Sequence, residues 1–277
     1  MTAGLNRSAG RPRPLLVGEL AVIAVLLVVY DRVRALADVR SSVAEAHGWS
    51  ILHAEAVLHL RIEDNLNAWL TRRDLVRILA VDFYQYLHVS VALAVLVVCY
   101  LRRPAVYRPV RNALVLTNVV GLAVFAVYPA APPRLLPGAG FVDSVADAGF
   151  STSHGPIAAD QYGALPSLHL AWATWVAIAG FALTRRLAPR VLFVAYPVLT
   201  AVVVMATGNH YVLDVVSGVV LGLAATWATG LLSLNWDVRL ALTPERPVAV
   251  AATQAIPVLK SPPLGRPWAL EADSPDP

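Results

Sequence analysis

His169, His210 and Asp214 are polar side chains set among long apolar runs, and their spacing suits phosphoryl transfer. His210 and Asp214 are four residues apart in "NHYVLD" (209 to 214), so on a helix they share a face and the carboxylate lies beside the imidazole. There Asp214 can fix the tautomer of His210 and leave one ring nitrogen free to attack, as a carboxylate does in a triad. His169 closes "PSLH" (166 to 169), where Pro166 and Ser167 mark a helix start. The Ser167 hydroxyl can cap that helix or bind a phosphate oxygen, and the free amides of the first turn favour negative charge. Such a reaction needs an in-line nucleophile, an acid for the leaving oxygen, and donors around three equatorial oxygens. His210 and His169 supply the first two, with His169 acting as acid in one step and base in the next. Arg134 is the only Arg or Lys of the connection 129–167 and can clamp a phosphate through its planar fork. Asn209 joins Arg134 and Ser167 as a phosphate-binding candidate, with His88 and Tyr211 as accessory candidates.

These groups need a scaffold, and composition says what kind. Of 277 residues, 57% are hydrophobic and 14% charged, with a mean hydropathy of +0.61. A soluble core does not need that much apolar surface, whereas a bilayer core about 30 Å thick requires roughly 20 apolar residues per helix. Six runs approach that length: 15–30, 83–101, 112–128, 168–184, 190–207 and 211–234. Their unbroken apolar character leaves no alternation for a membrane barrel, so each is expected to be a helix. The predicted fold is all-α: a polytopic membrane protein with six transmembrane helices and an outer-face amphipathic helical segment.

Arginine placement orients it. Arg7, Arg11 and Arg13 precede the first span; Arg102, Arg103, Arg108 and Arg111 join the second to the third; Arg185, Arg186 and Arg190 join the fourth to the fifth. By the positive-inside rule both termini are expected in the cytoplasm, in a cell-membrane protein whose active site is extracytoplasmic. The segment 31–82, assigned outside, dissents with seven arginines, offset by eight acids. Parity then puts the starts of spans two, four and six, and hence His88, His169 and His210, in one outer layer. The first span is read as a signal anchor, since the charged "DRVR" before "ALA" (35 to 37) argues against cleavage.

Residues 1–14 form a cytoplasmic segment and 15–234 the membrane catalytic domain. Within it, Leu58, Ile62, Leu66 and Trp69 recur at helical spacing in the outer segment 31–82, as a membrane-surface helix would have them. The connection 129–167, rich in proline and glycine, is too long for a simple link and is read as the outer active-site loop. The proline-rich residues 235–277 are expected to be a disordered cytoplasmic tail. Cys99 is the single cysteine, which excludes an intramolecular disulfide and a cysteine-built metal site.

"PSLH" and "HYVLD", about 40 residues apart, resemble the proline-serine-x-histidine and histidine-x-x-x-aspartate signatures of the type 2 phosphatidic acid phosphatase superfamily, over roughly residues 55 to 225. The resemblance implies that His210 forms a phosphohistidine, Asp214 orients it, His169 protonates the leaving group and Ser167 helps hold the phosphoryl oxygens, with no cofactor or metal. Two hydrolase signatures are absent. Neither Arg103-Pro104 nor Arg108-Pro109 has a lysine seven residues before its arginine, and Val204 stands where an arginine would precede the nucleophile. "YPAAPPRL" with Pro132, Pro133 and Arg134 looks instead like the inositol phosphorylceramide synthase-like branch, as does "NHYVLD". The expected function is a lipid phosphotransferase or phosphatase, with a membrane lipid phosphate as substrate, a lipid alcohol as candidate acceptor, and no nucleic acid partner. The alternatives are a phosphatidic acid or polyprenyl phosphate phosphohydrolase, a two-histidine, one-carboxylate metal site, and a non-catalytic lipid-binding or translocating protein.

Overall fold

A computed structural model describes residues 14–148 and 162–231, and among these the chain is helical apart from the connections that build the site. The tail 235–277, most of the segment 1–14 and part of the connection 129–167 lie outside the described residues. Three helical stretches are long and apolar enough to cross a membrane: Asp74–Arg102, Pro104–Val127 and Leu187–Ala206. Two apolar helices are shorter, Leu168–Leu183 and Val212–Ala228. The first helix, α1 (Leu16–Val39), carries Glu19, Asp31, Arg32 and Arg34 along its 24 residues. Apolar side chains on its flank, such as Val17, Val25 and Val28, are exposed, as are Leu192 and Val198 on Leu187–Ala206. Apolar faces that lie open in this way are those a bilayer solvates, and the chain is a membrane protein.

The expected surface helix over 58–69 is not one helix. Helix α2 (Ser41–Val57) stops at Leu58, His59 takes a positive φ of 55°, and α3 (Glu63–Leu70) begins four residues later. Leu58, Ile62 and Trp69 stay about half exposed, while Glu55, Glu63 and Asn67 are the residues turned inward. The periodic apolar positions lose to a turn that buries these polar groups against the site.

The second span also begins earlier than its apolar run. Helix α4 (Asp74–Asp82) continues through a π-helical turn (Phe83–Leu87) into α5 (His88–Arg102). Residues 74–82, expected in the outer segment, thus belong to the helix of the second span. Their charges are accommodated at the helix flank, where Arg77 pairs with Asp74 and Asp147, each at 3.0 Å.

Helix α6 (Pro104–Val127) is bound to α1 by Glu19, which accepts from Tyr107 Oη and from Arg111 Nη1, both at 2.8 Å. Two short elements follow, a 3₁₀ turn (Pro133–Leu135) and α7 (Ser144–Asp147). Helix α8 (Leu168–Leu183) is central, packing on α5, α6, α9 (Leu187–Ala206) and α10 (Val212–Ala228). Its Trp175 is fully buried and donates to Val110 O at 2.8 Å. Close approach of α10 to the start of α8 depends on Gly218, where a Cβ would collide with the Ser167 carbonyl. Small residues at such crossings let helix backbones touch.

Candidate active site

The first turns of α8 and α10 meet, and their preceding residues are stitched together by main-chain bonds. Ser167 N donates to Asp214 O at 3.1 Å. Ala130 N donates to Tyr162 O at 2.7 Å and Ala164 N to Ala130 O at 3.2 Å, while Ala131 N reaches Ala44 O of α2 at 2.8 Å. The extended pieces before both helices are thereby held by the connection after α6 and by α2. This arrangement fixes the two histidine motifs against each other although 40 residues separate them.

His210 Nδ1 lies 3.0 Å from Ala164 O and 3.4 Å from Asp214 Oδ2. Both neighbours only accept when Asp214 is ionised, so the ring proton belongs on Nδ1 and Nε2 keeps its lone pair. That Nε2 faces His169 Nδ1 at 3.4 Å. Asp214 Oδ2 also accepts from Tyr211 N at 3.1 Å, and its Oδ1 is buried with no partner among the described residues. His169 is stacked on Tyr84, centroids 4.5 Å apart, and packs against His88 at 4.8 Å. His88 Nδ1 shares a hydrogen bond with Tyr196 Oη at 2.9 Å, whereas its Nε2 has no partner among the described residues.

His169, His210, Arg134 and Asn209 line one cavity of about 90 Å³, together with Tyr30, Tyr84 and Phe125. Arg134 is buried in the 3₁₀ turn, its Nε donating to Asn209 Oδ1 at 2.8 Å and its Nη1 to Asp143 Oδ2 at 2.6 Å. Asn209 in turn donates to Thr207 Oγ1 at 2.8 Å. Arg134 N donates to the carbonyl of Gly208, whose φ of +72° turns the chain between α9 and His210. Glycine adopts that conformation without a Cβ penalty.

The other expected residues stand behind this lining. Ser167 is buried, and its Oγ caps α8 by accepting from Leu170 N at 3.4 Å. Tyr211 donates its hydroxyl to Ala131 O at 2.8 Å, and Asp214 backs His210. Sequence reasoning missed Asp143 and Asn67. Asp143 caps α7 through Val145 N and Ala146 N while holding Arg134; an aspartate before "SVAD" is a readable cap, but its partner across nine residues is not. Asn67 donates to Val142 O at 3.1 Å and Ala206 O at 2.9 Å and accepts from Val142 N at 2.9 Å, tying α3, α9 and the Asp143 turn together. No local signal marks it. Among the described residues no group of three or more His, Cys, Asp and Glu could hold a metal ion.

A helical membrane bundle that brings paired histidines, a carboxylate and a buried arginine to one small cavity has the kinds of groups that phosphoryl chemistry uses. The chain matches the PAP2 superfamily over residues 49–228 and belongs to it. Membership points to a phosphatase or phosphotransferase of lipid-like phosphates. No curated protein and no solved structure matches the chain.

Proposed function

We propose that this protein moves a phosphoryl-bearing headgroup from a lipid phosphate to a lipid alcohol at the extracytoplasmic face of the cell membrane, through a phosphohistidine on His210. The observation that carries the reading is the pairing of His210 Nε2 with His169 Nδ1 at 3.4 Å in a cavity that Arg134 lines. In the first step the Nε2 lone pair attacks phosphorus, the bond to the leaving oxygen breaks, and protonated His169 gives that oxygen its proton. In the second, His169 takes a proton from the acceptor hydroxyl, the alkoxide attacks phosphorus, and the P–N electron pair returns to Nε2. Asp214 and Ala164 O hold the Nδ1 proton while the ring carries positive charge. Arg134 and Asn209 offset charge on the equatorial oxygens.

Transfer in the manner of inositol phosphorylceramide synthase-like enzymes is favoured because "PPRL" supplies the cation that both missing hydrolase signatures would have brought. On this reading α1, α8 and α10 complete six spans with the three longer ones, which keeps both termini on one side, and the arginine distribution makes that side the cytoplasm. Purified enzyme given a phospholipid labelled at phosphorus together with a lipid alcohol should yield label in a new lipid. Label found only in water-soluble phosphate, at a rate indifferent to acceptor, assigns the enzyme to the hydrolases. Sidedness is read separately: in a background lacking Cys99, Gly138→Cys should react in intact cells with an impermeant thiol reagent, and Ala105→Cys and Ala188→Cys should not. The reverse pattern moves the site to the cytoplasm.

A further inference from the structure

Two carboxyl side chains that do not reach the cavity are buried against each other under its reacting end. Glu55 in the last turn of α2 and Glu63 at the start of α3 are both fully buried. Glu55 Oε1 accepts from Leu213 N at 2.6 Å, one of the unpaired amides in the first turn of α10. Leu213 directly precedes Asp214, and Asp214 accepts from Tyr211 N, so two carboxyl groups hold this one turn. Glu55 Oε2 and both Glu63 oxygens are buried with no hydrogen-bond donor among the described residues. The two carboxyl groups act on each other, so one can satisfy the other's free oxygens. Two carboxylates have no proton to donate, so the pair can hydrogen-bond only when one of them is protonated.

The surroundings decide which. The charged and titratable groups acting on the pair are Asp64 of α3 and Asp214 of α10, and the Tyr211 hydroxyl faces it as well. Arg61, the nearby cation, is engaged with Asp64 at 2.7 Å. Burial foremost, then the neighbouring carboxylates, pushes Glu63 up to about 8, and burial raises Glu55 as well. Glu55 already receives the Leu213 amide and can receive a Glu63 hydroxyl, so Glu55 is the ionised member and Glu63 the donor. Like charges at such a site cannot both ionise without displacing each other.

We propose that Glu55 and Glu63 share one proton and act as a positioning pair that fixes the first turn of α10, and through it His210 and Asp214, in the reactive arrangement. This rests on the reading of His210 as the group that accepts the phosphoryl. Deprotonation of Glu63 adds a further buried anion beside Glu55 and Asp214 and loosens the turn, so turnover falls as the pH rises through about 8. Glu63→Gln keeps a donor toward Glu55 at every pH. It should turn over near the wild-type rate at neutral pH and lack the alkaline fall. Glu63→Ala removes the donor and should lose about ten- to a hundredfold at neutral pH.

The test pairs pH–rate profiles of the wild type and Glu63→Gln with infrared spectra of both proteins at rest. The wild type should show the carbonyl stretch of a protonated buried carboxylic acid at neutral pH, lost on alkaline titration and absent from Glu63→Gln. Superimposable pH–rate profiles overturn the proposal, as does the absence of that band from the wild type. The spectrum does not depend on which residue receives the phosphoryl group. Turnover by His210→Ala would therefore overturn the nucleophile reading while the band still reported the pair.

Discussion

Two buried polar clusters occupy opposite ends of the α1–α6 pair and differ in how completely they are satisfied. Near the start of α6, each Glu19 oxygen has its own donor, Tyr107 or Arg111. Toward its other end, where Phe125 lines the cavity, Asp214 Oδ1 and His88 Nε2 have no partner among the described residues, and His210 Nε2 meets only another imidazole. Tyr107 and Phe125 are about 27 Å apart at 1.5 Å per residue. Buried polar atoms are nearly always paired, so a saturated cluster reads as a tie, whereas one with free donors and acceptors can still take a ligand. On the proposed function, stability belongs to one end of the bundle and chemistry to the other.

Substitution at the unsaturated end should separate function from fold. His210→Ala is expected to abolish turnover while leaving the melting temperature in detergent close to that of wild type; a variant that kept the wild-type rate would remove the contrast altogether. His169→Ala should retain more activity with a substrate whose leaving group needs no proton, because only acid catalysis is lost. Next in size, Arg134→Ala should lower kcat by about 10² to 10³, the cost of one oxyanion donor. Arg134→Lys should restore only part of that, since an ammonium cannot keep Asn209 on Nε and Asp143 on Nη1 at once. Full rescue by lysine would mean that charge alone matters there. Smallest of all for turnover, Glu19→Gln should leave kcat unchanged and cost about 1–2 kcal/mol of stability, measured by thermal unfolding. A fall in kcat with no change in stability would make the saturated cluster part of the chemistry.

The same division explains what the sequence disclosed. His210 and Asp214 are close in sequence, as are Ser167 and His169, so each local group was legible; yet His210 does not share a helix face with Asp214, because it lies in the extended piece before α10 and meets Asp214 across the N-cap Tyr211. Periodicity located the apolar helices, but their ends differ wherever charged residues continue a helix or a turn breaks one. Asp74, Arg77 and Asp82 masked the start of the second span, and the stripe from Leu58 to Trp69 suggested a continuous helix where His59 breaks it. The supports of the site were illegible for a different reason. Asn67 works through partners 75 and 139 residues away, and Glu55 through one 158 residues away. Such contacts leave no spacing to read, and the carboxyls of α2 and α3 looked like ordinary charges of a solvated segment.

The central claim is that His210 carries the phosphoryl group. Enzyme turning over a donor labelled at phosphorus can be quenched in denaturant and digested, and the label followed on the peptides. The account predicts acid-labile label on the peptide containing His210, present in the wild type, absent from His210→Ala, and discharged when acceptor is added before the quench. Label on a peptide without His210, or continued turnover with no protein-bound label at any quench time, would contradict it.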